Sequence, residues 1–188
     1  MRAALVWSED LLAYDFGPGH PMNPLRLRLT RDLVASLRLD RHLSLLPPRI
    51  ADDDELALVH EPDYVRAVRA ASTTLLPDPS RGLGAGGGDM ADTPVFAGMH
   101  EAAARLVGGT LEAVRAVDSG AAPRAVFFAG GMHHAMPGAA AGFCIYNDAA
   151  VAIADHLARG GGNVVYVDLD VHHGDGVERA FAGDPRVI

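Results

Sequence analysis

Residues 163–175 read NVVYVDLDVHHGD, an apolar, β-branched run that passes directly into carboxylates and imidazoles. The run at 163–167 is typical of a buried strand. Because side chains alternate between the two faces of a strand, Asp168, Asp170 and His172 share one side if the extended conformation continues. Carboxylate oxygens and imidazole nitrogens are common ligands of divalent metals. The stretch therefore predicts a metal site at the end of a strand, with a solvated acidic turn as the competing interpretation.

A second histidine cluster follows another strand-like run. Residues 125–129, AVFFA, lead through a Gly130-Gly131 turn to His133-His134. Open parallel sheets keep their active sites at the carboxyl ends of the strands, so we expect the two clusters to meet. Taken alone, His133-His134 would be explained equally well as a pair of hydrogen-bonded loop histidines.

Composition limits the classes of protein. A chain of 188 residues with 49% hydrophobic residues predicts one globular domain with a substantial core. The net charge of −8 disfavours a nucleic-acid-binding surface and agrees with a cationic substrate or partner. The single cysteine, Cys144, excludes an internal disulfide and a four-thiolate zinc site, which favours the cytoplasm. No apolar run approaches the roughly 20 residues that span a membrane, so we expect no membrane association.

Short strand-like runs alternate with longer helical ones, which predicts an α/β fold with a parallel sheet and helices on both faces. The first strand is expected within residues 1–7, where the apolar run is too short for a signal peptide. Residues 72–94 hold Pro77, Pro79 and the glycine run 82–88, which predict a long loop. One predicted helix carries Leu25, Leu29, Leu33 and Leu37 at helical spacing, and two more follow 52–54 and 61–63. A fourth spans about 95–117, and a fifth continues through Leu157 after a cap at Asn147-Asp148.

The last residues, Arg186-Val187-Ile188, are typical of a strand that is just beginning. We therefore expect the chain to be part of a longer protein. A catalytic zinc commonly has three protein ligands, and Asp170 with His172 supplies two. We expect the third ligand beyond Ile188.

Several motifs in fixed order carry a resemblance to a known family. They are GHPMNPLR at 19–26, DTPVF at 92–96, GGMHHA at 130–135, GFCIYND at 142–148 and YVDLDVHHGDGVE at 166–178. The sequence resembles the zinc-dependent histone deacetylases of the arginase/deacetylase fold, and most of all their bacterial acetoin-utilisation branch. The similarity covers only the first part of that family's domain. We therefore expect residues 1–188 to be the amino-terminal portion of a single deacetylase catalytic domain.

The resemblance implies a set of metal sites. Asp170 and His172 match zinc ligands, and iron can occupy the same ligands. Asp168 matches a ligand of a structural potassium ion, together with backbone oxygens of Asp170 and His172. A second monovalent-cation site is implied at carbonyl groups near Phe181, Asp184 and Val187.

The resemblance also implies two proton-transfer pairs. His133 and His134 match tandem histidines that contact the metal-bound water, and Asp168 and Asp175 match the carboxylates behind them. A carboxylate that accepts a hydrogen bond from one ring nitrogen fixes the tautomer and raises the basicity of the other nitrogen. Either histidine can serve as the base.

Four more positions match substrate-binding or channel residues of the family, and each has a structural alternative. Phe143 matches an aromatic wall of the substrate tunnel, and Gly142 a carbonyl acceptor beside it; a core phenylalanine next to a turn is the alternative. Asp92 matches a rim carboxylate, although a cap for the helix near 95 explains it equally well. Arg26 matches a residue that lines an internal acetate channel, and a solvated helix arginine is the alternative.

The resemblance implies hydrolysis of an acetyl or acyl amide on a protein lysine or a small amine. Neither Tyr146 nor Tyr166 suits the family's oxyanion tyrosine, so the isolated chain is expected to have little activity. A binuclear manganese ureohydrolase of the same fold is disfavoured by Leu169 and by the tandem His133-His134, because such sites need more carboxylate ligands. A non-catalytic interaction module is the third hypothesis.

Overall fold

A computed structural model describes residues 2–84 and 92–188, and its centre is a parallel β-sheet. The strands are β1 (Ala3–Val6), β2 (Leu43–Leu46) and β3 (Ala125–Val126), in the order β2-β1-β3. Both neighbours of β1 run parallel to it. The predicted α/β class with a parallel sheet is therefore confirmed, although the sequence analysis named no strand at β2.

Six α-helices surround the sheet in the described part of the chain. Their bounds are α1 Leu25–Ser36, α2 Asp53–Leu56, α3 Pro62–Thr74, α4 Met99–Asp118, α5 Asp148–Ala158 and α6 Asp175–Phe181. Short 3-10 helices lie at Glu9–Ala13, Leu39–His42 and Pro79–Arg81. The predicted cap of α5 is present, because the Asn147 side chain accepts a hydrogen bond from the Ala150 amide. The helices expected after 52–54 and 61–63 are also present.

The central strand β1 is buried on both faces. Ala4 and Leu5, which point to opposite sides, are 1% and 2% exposed. Ala4 packs against Ala116 near the end of α4, while Leu5 joins the main hydrophobic core. Helix α4 contacts both β1 and β3, so it is the main layer over the sheet.

Helix α1 exposes the leucines that have helical spacing. Leu25, Leu29 and Leu33 are 54%, 58% and 58% exposed, and only Leu27 of this helix is buried. The helix prediction is confirmed, but its regular leucine stripe does not face the core of this chain.

Two predicted boundaries were wrong. Helix α4 begins at Met99 rather than near 95, because Gly98 in front of it has a φ of 75° and breaks the helical path. Helix α3 continues to Thr74, so the loop predicted at 72–94 starts later. Part of that predicted loop, 85–91, lies outside the described residues.

The run at 163–167 was predicted to be a buried strand, and that prediction was wrong. Val165 and Val167 are 68% and 69% exposed. The segment is paired on one side only: the amides of Val164 and Tyr166 donate to carbonyls of residues 186 and 188 over 2.8 Å each. Residues 186–188, predicted to begin a strand, form an isolated parallel bridge with it, between Val164 and Val187. Likewise, the run at 125–129 forms a strand over only its first two residues.

Within the parts of the chain that the structure describes, no helix combines the length and the apolar character needed to cross a bilayer.

Candidate functional site

Two histidine–carboxylate pairs lie side by side. His133 Nδ1 is 2.8 Å from Asp168 Oδ2, and His134 Nδ1 is 2.7 Å from Asp175 Oδ1. The centroids of the two imidazole rings are 4.1 Å apart. An ionised carboxylate can only accept, so each Nδ1 carries a proton, and in a neutral imidazole the lone pair is then on Nε2. The two segments that the sequence analysis expected to meet are in contact.

Both carboxyl groups are held in the ionised form. Partial burial opposes ionisation of Asp168, but hydrogen bonds from His133 and the Tyr166 hydroxyl outweigh it and lower the pKa of this carboxyl to about 2. Partial burial also opposes ionisation of Asp175, yet the hydrogen bond from His134 lowers its pKa. Both groups therefore remain acceptors near pH 7, which keeps each imidazole in one orientation.

Asp170 and His172 form a third contact at the same place. Asp170 Oδ1 is 2.9 Å from His172 Nδ1 and accepts from the His172 amide over 2.8 Å. Those two hydrogen bonds lower the pKa of Asp170. The ring centroid of His172 is 6.0 Å from that of His134. Asp170 and His172 thus sit beside the tandem histidines, at the end of the exposed 163–167 segment.

The side chains of Asp170 and His172 supply donor atoms that suit a divalent metal. Two ligands of one tetrahedral zinc, each about 2 Å from the ion, lie roughly 3.3 Å apart. Asp170 Oδ1 and His172 Nδ1 are 2.9 Å apart and share a hydrogen bond, which contacts to an ion would replace. Both side chains are more than half exposed and can adjust. Among residues 2–84 and 92–188, no group of three or more His, Cys, Asp or Glu side chains has the arrangement of a metal site.

The histidines and the Asp170–His172 pair line one cavity of about 520 Å³. Its other lining residues come from four separate parts of the chain: Met22, Arg26, Asp92, Gly130, Gly131, Met132, Gly142, Phe143 and Cys144. Every predicted zinc-ligand, tandem-histidine, substrate-binding and channel position therefore faces this cavity. Asp168 and Asp175 lie behind the histidines.

Phe143 has an unusual backbone conformation. Its φ is 68°, in the left-handed region that non-glycine residues rarely occupy. The Tyr14 hydroxyl, which is buried, donates to the Phe143 carbonyl over 2.6 Å. The ring of His20 packs edge-on against the Phe143 ring at 4.7 Å between centroids. No role was predicted for Tyr14, because no sequence pattern connects residues as far apart in the chain as Tyr14 and Phe143.

The sequence allowed two interpretations each for Asp92 and Arg26, and the structure gives the position of both side chains. The Asp92 carboxylate accepts from the Gly142 amide over 2.9 Å, so it braces the loop beside Phe143. The alternative in which Asp92 caps α4 was wrong, because Gly98 precedes that helix. Arg26 lines the cavity, and desolvation lowers its pKa.

All four tyrosine hydroxyls already have partners. Tyr14 donates to Phe143, Tyr64 to the Ile145 carbonyl and Tyr166 to Asp168, while Tyr146 pairs with His100 Nδ1. Two oxygens of the implied cation sites also accept internal hydrogen bonds. Asp168 Oδ1 accepts from the Asp170 amide, and the Phe181 carbonyl accepts from the Asp184 amide.

The family assignment follows from the sequence of this site and its surroundings. The family model described as the histone deacetylase domain matches residues 20–188, and the chain belongs to this family.

Individual relatives share one name. The chain is 45% identical over 188 residues to the acetoin utilization protein AcuC of Bacillus subtilis (strain 168), covering 98% of this chain and 47% of that protein. It is 40% identical over 186 residues to AcuC of Staphylococcus xylosus, covering 97% of this chain and 47% of that protein. The chain thus spans about half the length of the curated relatives it matches. The names of both relatives refer to acetoin utilization.

Proposed function

We propose that this chain carries the proton-transfer pairs and two metal ligands of a deacetylase. The reaction is hydrolysis of an acetyl amide on a lysine side chain or a small amine. The observation that carries the proposal is the convergence of His133–Asp168, His134–Asp175 and Asp170–His172 at one cavity. Membership of the histone deacetylase family supports the same reaction class.

Asp170 and His172 would hold the metal, which we propose to be zinc, with iron as an alternative that suits the same donors. Such an ion would supply Lewis-acid polarisation of a carbonyl and would acidify water at its open position. The third protein ligand would come from residues outside 1–188. We also propose a structural potassium ion at Asp168 and at the backbone oxygens of residues 170 and 172, and a second at carbonyls of 181–187.

The histidines would move the protons. One free Nε2 accepts a proton from the attacking water while the paired carboxylate holds the resulting imidazolium in place. The other histidine acts as the acid from its imidazolium form: it donates its Nε2 proton to the departing amine nitrogen as the carbon–nitrogen bond breaks, and the proton taken from water then restores it. One water is consumed, and acetate and a free amine are produced. The pairs at His133 and His134 differ in exposure, since the His133–Asp168 pair is the more deeply buried.

The remaining cavity residues would bind the substrate. The Phe143 ring would line the passage for an aliphatic chain, and the Gly142 carbonyl would accept from the substrate amide. Asp92 would bind the substrate backbone at the rim, and Arg26 would line the channel that releases acetate. A cationic amine product agrees with the acidic net charge, and the single buried Cys144 agrees with a cytoplasmic location.

The oxyanion donor is not among the tyrosines of this chain. Each of the four hydroxyls has another partner, as described above, which supports the expectation that the tyrosine lies outside 1–188. Losing such a donor alone costs about 100- to 1,000-fold in rate. We therefore propose that the isolated chain has little or no activity.

The test is hydrolysis of a fluorogenic acetyl-lysine peptide by this chain and by the product of the complete reading frame that contains it. We expect turnover by the longer product and at least a 100-fold loss in its His134→Ala variant. His42, an exposed histidine of the 39–42 helix, supplies the control His42→Ala, which should keep turnover. Robust turnover by the 188-residue chain would refute the need for further residues.

The same preparations separate the alternative functions. A ureohydrolase would release urea from a guanidino substrate and carry two manganese ions, whereas the deacetylase carries one zinc or iron. An interaction module would show neither reaction. Failure of the longer product to release acetate would overturn the proposed function.

A further inference from the structure

A buried carboxylate holds the backbone just ahead of the tandem histidines. Asp148 is 1% exposed, and its oxygens accept from the Met132 amide over 2.7 Å and from the Gly131 amide over 3.0 and 3.1 Å. The Thr110 hydroxyl donates to the same carboxylate. A buried charge is costly unless it is fully hydrogen-bonded, and here the bonds go to the loop that carries His133. A Cβ at Gly130 would lie 2.3 Å from Asp148 Oδ2, so this close approach requires glycine there.

The preceding residue holds the same loop from its other side. Asn147 is fully buried, and its Nδ2 donates to the carbonyls of His133 and Ala135 over 3.3 and 3.2 Å. Its Oδ1 accepts from the Ala150 amide and caps α5. Capping of α5 needs only Oδ1, so the two hydrogen bonds that Nδ2 donates to the histidine loop have a second, independent effect.

A buried histidine fixes Asn147 in turn. His60 is 1% exposed; its Nε2 accepts from the Asn147 amide over 2.9 Å, and its Nδ1 lies 3.1 Å from the Met136 carbonyl. A backbone amide can only donate, so Nε2 is unprotonated and Nδ1 donates to the carbonyl. His60 thus joins the start of α5 to the end of the histidine loop.

The two catalytic segments also meet at one backbone atom. The His133 carbonyl accepts from the Gly176 amide over 3.0 Å as well as from Asn147. Gly176 directly follows Asp175, the partner of His134. The position of that carbonyl therefore affects both histidine–carboxylate pairs.

We propose that Asn147, Asp148 and His60 are positioning residues that fix the backbone of 131–135 and thereby the placement of the His133 and His134 rings. None of the three lines the cavity itself, so each acts through the backbone of the loop and not through a contact with substrate. The inference deepens the proposed function, and only its kinetic consequence rests on that function.

The decisive variant is Asn147→Ser, compared with Asp52→Ser. Serine at both positions keeps an oxygen that can cap a helix, α5 in one case and α2 in the other. Only Asn147→Ser removes the donors to the histidine loop. The readout is the imidazole ¹⁵N and ¹H spectrum of the chain labelled at histidine, which reports ring orientation and tautomer for His133 and His134.

We expect Asn147→Ser to shift the ring signals of both histidines away from the single Nδ1–H tautomer, and Asp52→Ser to leave them in place. In the product of the complete reading frame, Asn147→Ser should lower kcat about 10- to 100-fold with less than about a twofold change in KM. Unchanged ring signals in folded Asn147→Ser would overturn the positioning role.

A measurement on the unaltered chain covers the case in which Asn147→Ser does not fold. The amides of Gly131 and Met132, the two that Asp148 binds, should exchange with deuterium at least 100-fold more slowly than the amide of Gly19. Exchange of both at the rate of Gly19 would overturn the role of Asp148. If the ring signals shift as expected but the longer wild-type product hydrolyses no acetyl-lysine, the proposed function fails while the positioning role stands.

Discussion

Replacing Gly142 by alanine should move the imidazole ring of His134, in addition to straining the backbone at position 142. Gly142 has a φ of 52°, and a Cβ built there would lie 2.4 Å from His134 Cδ2 and 2.9 Å from its Cγ. Carbon atoms normally approach to about 3.5–4.0 Å, so the ring or the loop must move by about 1 Å. Because Cδ2 is bonded to Nε2, the proposed proton acceptor moves with it.

The stability cost and the catalytic cost can be separated with a matched variant. Alanine in the left-handed region costs about 1–2 kcal/mol, whatever space surrounds it. Gly120 has a φ of 73° with nothing within 4 Å of a built Cβ, so Gly120→Ala carries the backbone strain without the contact. We expect urea unfolding to show a loss of about 1–2 kcal/mol in Gly120→Ala and a loss about 1–3 kcal/mol larger in Gly142→Ala, where the contact with His134 adds to the backbone strain.

The effects on the His134 spectrum and on kcat should appear in only one of the two variants. Gly142→Ala should shift the Cδ2–H signal of His134 and lower kcat of the longer product about 100-fold, since a misplacement of about 1 Å has that order of effect. Gly120→Ala should do neither. Equal His134 spectra in the two variants would refute the reasoning.

Two further predictions concern the buried groups around the cavity. Tyr14→Phe leaves the Phe143 carbonyl without its donor, so it should lower the free energy of unfolding by about 1–2 kcal/mol and raise KM more than it lowers kcat; an unchanged KM would contradict the bracing role of Tyr14. Burial lowers the pKa of His60 to about 4, against about 6.5 in the unfolded chain, so the unfolded state binds more protons between these pH values and stability falls as the pH drops from 6.5 to 4. The difference corresponds to roughly 3 kcal/mol, and burial of His100 lowers its pKa and acts in the same direction. The urea midpoints measured at pH 7 and pH 5 should therefore lie closer together in His60→Gln than in wild type. An equal difference between the two midpoints in both proteins would contradict the assignment of this pH dependence to His60.

The sequence predicted well those features that depend on local pattern. Asn147 was identified as a helix cap from its type and its place before an apolar periodic run, and the helix begins there. The segments of His133-His134 and Asp168–Asp175 were expected to meet because both follow strand-like runs, and their side chains are in contact. The expectation rested on parallel sheets, which gather the ends of their strands, but the segment at 163–167 is not a strand of the β2-β1-β3 sheet and reaches the histidines through side-chain contacts.

Features that depend on tertiary contacts could not be predicted. The apolar run at 163–167 has the composition of a buried strand, yet burial requires neighbours on both sides, and here only residues 186–188 pair with it. The leucine stripe of α1 has the same explanation, since helical spacing says which residues share a face and not what covers that face. The hydrogen bond between Tyr14 and Phe143 joins residues that are 129 positions apart in the chain, and no local sequence pattern predicts such a contact.

The most direct test of the account is the metal dependence of acetyl-lysine hydrolysis by the product of the complete reading frame. Chelation should abolish turnover, and addition of one equivalent of zinc should restore it in wild type and in His173→Asn, whose histidine pairs with Glu178 instead of facing the cavity. One equivalent of zinc should not restore turnover in His172→Asn. Turnover that survives chelation, or equal recovery in His172→Asn and His173→Asn, would contradict the central claim that Asp170 and His172 hold the ion beside the tandem histidines.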